Sequence, residues 1–334
     1  MKCYLEANII YISVSQKTRK ILLNRETNNK ENLKHKYAQC YCNCVTGKSL
    51  TMLLKASFTI FIMSYAAGIF AQKNSDVPNI DVTYNKQVLK TNIEHPSELS
   101  MDYDKNNLFY NYVEVDGIKT ISKTAYLNLD TLKAAEIKDG TDLITSAIDN
   151  KNHKVYLGGK DGIYTFDYNT KKAFKLDVND ANEKSIWQLF YKDGLYFTTF
   201  DPEEQAFYCK SFDKVQKLTD DNNPRMRVLG VSNDNIIYFG NSTGLFYVQN
   251  STGKATLLIE DIVVNAFNVD RDGELYFSTP SSLHHIKTKP KSVEKLTEFQ
   301  DHSLWGFAID GNGNIIYGSD DSIIRLVPTL TKQY

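Results

Sequence analysis

The chain has 334 residues, 42% of them hydrophobic, and its 39 Lys and Arg nearly balance 40 Asp and Glu to leave a formal charge of -1. That is enough apolar material for a sizeable core, and all-β folds commonly reach this length as one domain. A near-neutral balance without a basic stripe or a charged tail argues against nucleic-acid binding.

Residues 1–51 carry Lys and Arg runs and four of the five cysteines, Cys3, Cys40, Cys42 and Cys44. The C-x-C-x-C run lacks the paired C-x-x-C spacing of a structural zinc site. This segment reads as a leader or an upstream extension of the gene model, unstructured in the mature protein or absent from it. Residues 52–71, Met52 to Ala71, place one cation before a short apolar run and small residues, the layout of a secretory signal peptide. Cleavage would follow Gly68 or Ala71. A membrane anchor is the alternative, since the run approaches the roughly 20 residues that span a bilayer. The flank beyond it turns polar without a basic stop-transfer cluster, which favours the signal peptide and a mature form free of the membrane. Export would leave Cys209 without an internal partner, and a domain this large does not need a disulfide.

Residues 80–330 are expected to form one all-β domain. From about residue 98 a unit of roughly forty residues recurs to the C-terminus, the signature of a repeat architecture. Each copy holds an apolar strand, an Asp/Asn/Gly turn, a strand with an aromatic, a second turn, a third strand and a short amphipathic strand. The aromatics are Phe109, Tyr156, Tyr196, Tyr238, Tyr276 and Tyr317. Turns such as DNKNHK, DRDGE and DGNGN supply residues that tolerate the positive φ of tight hairpins. The abundance of Tyr (21) and Phe (17) suits many short strands. Four strands per copy make one blade, and six copies predict a six-bladed β-propeller. The sixth copy stops after its third strand. Residues 85–93 (NKQVLKTNI) resemble the closing strands KKAFKL and KVQKL, so the first strand of the chain is expected to complete the last blade.

Propeller sites open where the innermost strands begin, near Glu98, Thr145, Trp187, Arg227, Asn265 and Trp305. The only two tryptophans, Trp187 and Trp305, hold equivalent places in blades 3 and 6. They could offer flat aromatic faces to a planar ligand, with Arg227 as a carboxylate partner and Asn265 beside them. Packing between blades is the competing reading for both. Asn241 and Asn250 begin N-x-S/T glycosylation sequons.

No G-x-S-x-G, H-E-x-x-H, Walker or G-x-G-x-x-G motif occurs. His284 and His285 are neighbours, and adjacent side chains of a strand point to opposite faces. The enzyme alternative is a lactonase-type metal-dependent hydrolase of the gluconolactonase kind, with Glu98, Asn265 and Asp270 or Asp310 around a divalent cation. Hairpin formation already accounts for those two aspartates. A ligand-independent extracellular interaction propeller is the third class.

Specific stretches point further. Val88–Asp102 (VLKTNIEHPSELSMD), Asn107–Tyr112 (NLFYNY), Ala125–Leu132 (AYLNLDTL) and Val155–Tyr164 (VYLGGKDGIY) occur in order. Asn241–Phe246 (NSTGLF), Phe307–Tyr317 (FAIDGNGNIIY) and Ser322–Leu326 (SIIRL) follow. Together this series, over about residues 80–330, resembles the insect ommochrome-binding proteins. The resemblance implies a secreted haemolymph carrier without enzymatic activity or cofactor, whose ligand is an ommochrome, a planar tryptophan-derived phenoxazinone pigment. An aromatic-lined mouth with an arginine would suit such a ligand.

Overall fold

A computed structural model describes residues 81–331 except 117–118, 201–203, 220–224, 250–252, 290, 300–303 and 305. The expected leader (1–51) and signal peptide (52–71) lie outside the described residues, as do Trp305 and Asn250.

The described residues form six four-stranded antiparallel sheets, the blades of a β-propeller. From the inside outward, blade 1 is Glu94–Asp102, Asn107–Asp116, Lys119–Asn128 and Ala134–Glu136. Blade 2 is Thr145–Asp149, Lys154–Gly159, Gly162–Asp167 and Lys172–Lys175. Blade 3 is Ile186–Tyr191, Leu195–Thr199, Ala206–Ser211 and Lys214–Lys217. Blade 4 is Val228–Val231, Ile237–Asn241, Gly244–Val248 and Ala255–Glu260. Blade 5 is Ala266–Val269, Leu275–Ser278, Ser282–Thr288 and Lys291–Glu298. Blade 6 is Phe307–Ile309, Ile315–Gly318, Ser322–Thr331 and, outermost, Asp81–Thr91 from the start of the described chain.

Each inner strand touches the next, and that of blade 6 touches that of blade 1, so the ring is complete. The seam between those two blades is close. Ile93 N–H donates to Asp321 O and His95 N–H to Asp320 O, at 3.1 and 2.9 Å. A Cβ on Gly318 would fall 1.8 Å from Pro96 O, so only glycine fits there. Leu89 and Ile93 are buried with Leu99, Ala308 and Ile316, which joins the first strand of the chain to both sides of the seam.

The hairpins leaving the inner strands explain the spacing of the repeat. Each carries a residue with positive φ just before the second strand: Asn106, His153, Asp193, Asn235, Gly273 and Gly313. An aspartate at the end of the inner strand holds the turn in blades 1, 2, 5 and 6. Asp102 Oδ1, for instance, accepts from the N–H groups of Asp104 and Lys105, both at 3.1 Å.

The recurring aromatics occupy the second strands, between blades. The register places Phe109 opposite Ser100, Tyr156 opposite Ala147, Tyr238 opposite Gly230 and Tyr276 opposite Asn268. Blade 6 departs from the sequence reading. Ile316 sits opposite Ala308, in the place the aromatics hold elsewhere, and Tyr317 is one residue further along, opposite Phe307. Because strand side chains alternate, that step sends Tyr317 to the other face. Tyr317 packs on Phe299 of the blade 5–6 connection, with ring centroids 4.8 Å apart, while Ile316 faces blade 1.

Candidate functional site

The hairpin registers fix which inner-strand residues share a level. Met101, Ile148, Tyr191, Val231, Val269 and Ile309 pair with Leu108, Val155, Leu195, Ile237, Leu275 and Ile315, equivalent positions in the second strands. Three pairs further from the hairpin, Ser97 is level with Thr145, Gln188, Val228 and Ala266, and Glu98 sits in the bulge that follows Ser97. Trp187, Arg227 and Asn265 lie one residue nearer the mouth.

At that mouth Trp187 occupies a bulge between Ile186 and Gln188 and is half-buried. Its ring meets Phe200 edge-on, centroids 4.9 Å apart. The exposed Arg227 guanidinium lies 5.2 Å from the Trp187 ring centroid, within cation–π range. Arg227 is anchored through its backbone: its N–H donates to Gly240 O at 3.1 Å, and its carbonyl accepts from Thr198 Oγ1 at 2.9 Å. Two of the predicted ligand residues therefore adjoin. Asn265 serves the blade 5–6 contact, donating from Nδ2 to Leu304 O at 2.8 Å. Asn241, the described sequon asparagine, folds into an Asx turn, accepting from Thr243 N–H at 2.9 Å and donating from Nδ2 to Arg225 O at 3.2 Å.

Inside the mouth lies a cavity of about 50 Å³, walled by Glu98, Ser100, Ser146, Gln188 and Asn268 and floored by Tyr103. Most of its polar groups are committed. Gln188 Oε1 accepts from Leu229 N–H at 2.7 Å. Asn268 Nδ2 donates to Leu99 O and Phe307 O, both at 2.8 Å, tying blade 5 to blades 1 and 6. The Ser100 and Ser146 hydroxyls pair at 2.5 Å. Tyr103 crosses the channel from blade 1, its hydroxyl reaching Val269 O at 3.1 Å and Ile309 O at 3.0 Å. The side chain of Asn150 braces it, accepting from Tyr103 N–H at 2.9 Å and donating to Met101 O at 3.3 Å.

Glu98 is different. Among the described residues its carboxylate accepts one long hydrogen bond, from Thr145 Oγ1 at 3.4 Å, and the partly exposed residue lines the cavity. Loss of hydration raises its pKa from 4.5 to about 8, against a small opposing effect of the Thr145 hydroxyl.

The residues weighed for a metal do not converge. Asp270 Oδ1 accepts from Asp272 and Glu274 N–H, both at 2.9 Å, and its Oδ2 accepts from Tyr276 Oη. Asp310 likewise holds its own turn through Asn312 and Asn314 N–H, both at 2.9 Å, and pairs with Arg325 at 3.0 Å. Both lie at the turn end of the inner strands, the full strand length from Glu98. Among the described residues no three His, Cys, Asp or Glu side chains are grouped to hold a metal ion. His284 and His285 stack separately on Phe277 and Tyr276, on opposite faces of their strand.

A wider cleft of about 340 Å³ opens on the turn face, beyond Tyr103, between Asp104, Asn150, Lys151, His153 and Arg271. Sequence reasoning did not find this cleft, nor Tyr103, Gln188 and Asn268. These are single-copy residues, and a repeat pattern carries no signal for them. The polar Asn268 within the apolar run AFNV was the one visible hint.

No protein-family model matches the chain. A curated protein of Manduca sexta named ommochrome-binding protein is 40% identical over 248 residues, which cover 73% of this chain and 88% of the relative. Among solved structures, a gluconolactonase of Xanthomonas campestris superposes with a TM-score of 0.58 at 13% identity, covering 74% of this chain and 90% of its own. The calcium-binding protein regucalcin of Agrobacterium tumefaciens gives a TM-score of 0.55 at 11% identity, with 75% and 96% covered. At such identities these structures speak for the fold alone.

Proposed function

The chain belongs to the ommochrome-binding protein family, and we propose that it is a secreted, non-enzymatic carrier that binds an ommochrome at the mouth of its central channel. The observation that carries this reading is the Trp187–Arg227 contact, at the start of neighbouring inner strands in a chain 40% identical to a protein of that name. A planar aromatic pigment can extend the contact, and an exposed guanidinium can pair with its carboxylate. The size of the channel supports a mouth site. Drug-sized ligands occupy pockets of roughly 300–1,000 Å³, so a cavity of about 50 Å³ cannot take a tricyclic ring. The fused ring rests outside, on Trp187 and beside Asn265, and Trp305 is a further ligand residue on the strength of its place in the sequence repeat alone. Export to the haemolymph rests on the signal-peptide pattern at 52–71, and glycosylation on the sequons at Asn241 and Asn250. The lactonase alternative is disfavoured by the turn roles of Asp270 and Asp310.

Titration with an ommochrome, followed by tryptophan fluorescence, tests the proposal: saturable quenching is expected, weakened by Trp187→Ala and by Arg227→Ala. The turn-face cleft of about 340 Å³ supports a second location. Binding lost on Arg271→Ala but kept on Arg227→Ala would move the site there.

A further inference from the structure

The mouth accounts for a planar ring but leaves Glu98 unexplained. Its backbone has a φ of 49°, in the left-handed region that favours glycine. A glutamate there carries strain, and such strain persists where the surrounding structure enforces it. Register shifts between Glu94 and Ser97, and again between Ser97 and Ser100, set the residue out of the regular ladder. Blade 6 holds it in place, since a Cβ on Gly306 would come within 2.5 Å of Glu98 N. The outcome is a glutamate that lines the cavity beneath the mouth, its carboxylate holding a single long hydrogen bond among the described residues.

The rest of the cavity shows what could meet it. Ser100 from blade 1, Ser146 and Asn150 from blade 2, Gln188 from blade 3 and Asn268 from blade 5 are its polar side chains, all uncharged. Among the described residues no Lys, Arg or His lines the cavity, and its other titratable groups are the phenols of Tyr103 and Tyr191. Glu98 is thus the one acidic side chain there among the described residues, without a cation. A buried carboxyl is costly unless a partner arrives. A cavity of about 50 Å³ excludes a fused ring but admits a group of ammonium size.

We propose that Glu98 is the internal recognition group of this site and receives a protonated primary amine on a side arm of the bound ligand, an inference that rests on the pigment-binding reading above. The ring stays at the mouth, further out in register, and the arm reaches inward to the carboxyl. Because burial holds the Glu98 carboxyl protonated up to about pH 8, pairing with an ammonium at neutral pH displaces that proton to solvent. Affinity for the amine therefore rises by about tenfold per pH unit up to that value.

The test uses a phenoxazinone carrying a free primary amine and the same compound acetylated on that nitrogen, titrated into wild-type protein and Glu98→Gln by calorimetry at pH 7 in two buffers of different ionisation enthalpy. Acetylation is expected to weaken wild-type binding by about tenfold or more, as for loss of a charged hydrogen bond. Glu98→Gln should bind the two compounds alike, and proton release should appear only with the free amine and the wild type. Equal wild-type affinities for both compounds would overturn the inference while leaving the pigment reading intact. Binding of neither would sink the pigment reading and the inference with it. Tight binding of calcium alone, abolished in Glu98→Gln, would overturn the amine assignment in favour of a metal.

Discussion

The raised pKa of Glu98 makes a prediction about stability that needs no ligand. The folded protein holds its proton up to about pH 8, whereas the unfolded chain releases it near 4.5. Between those values the native state binds more protons than the unfolded state, so stability falls as pH rises. At about 1.4 kcal/mol per pH unit the full penalty is on the order of 4–5 kcal/mol for a carboxyl moved from 4.5 to about 8. Water entering the cavity screens the charge, and about 2–4 kcal/mol is the working expectation. Glu98→Gln preserves size and can still accept from Thr145 Oγ1, but it has no proton to lose. Urea unfolding of both proteins from pH 4 to 8.5 isolates the effect, because every other titrating group is common to the pair. The variant should match the wild type near pH 4 and overtake it progressively toward pH 8. A stability difference that does not change with pH would refute the reasoning, and so would a wild type that gains on the variant as pH rises.

Other outcomes follow from the ring and its floor. Removing residues 82–93 deletes most of the strand paired with Ser322–Thr331 and takes away buried Leu89 and Ile93. Losing each large apolar side chain alone costs about 2–5 kcal/mol, so the truncated protein should melt more than 10 °C lower or fail to fold; unchanged melting would rule out ring closure by this strand. Tyr103→Phe leaves Val269 O and Ile309 O without their shared donor. The expected cost is about 1–3 kcal/mol, read as a lower thermal midpoint, and an unchanged midpoint would refute the bracing role of the hydroxyl. N-terminal sequencing of protein secreted from insect cells should begin just after Gly68 or Ala71, and a start upstream of Met52 would defeat the signal-peptide reading.

Much of the fold was legible because a propeller writes the same physics six times. A residue tolerant of positive φ recurs in every copy, with a turn aspartate in four and an interblade aromatic in five, and each copy reinforces the others. The incomplete sixth copy pointed to residues 85–93, and the strand Asp81–Thr91 lies at the outer edge of blade 6. What failed was register within a copy. In NIIYG the conspicuous tyrosine draws the alignment, yet Ile316 takes the interblade position and Tyr317 turns to the opposite face. Either side chain fills a core, so sequence alone could not choose. The site was legible only in part. Trp187 and Arg227 could be paired because both lie where an inner strand begins, and their contact spans neighbouring blades. Tyr103 could not be foreseen, since DYDKNN reads as an ordinary turn until the ring brings Val269 and Ile309 within reach of its hydroxyl.

The most direct test of the central claim is titration of the purified mature protein with an ommochrome while the fluorescence of Trp187 and Trp305 is followed. Saturable quenching at micromolar pigment, weakened at least tenfold when Trp187 and Arg227 are both replaced by alanine, is the result expected. Absence of quenching at that concentration would contradict the carrier reading.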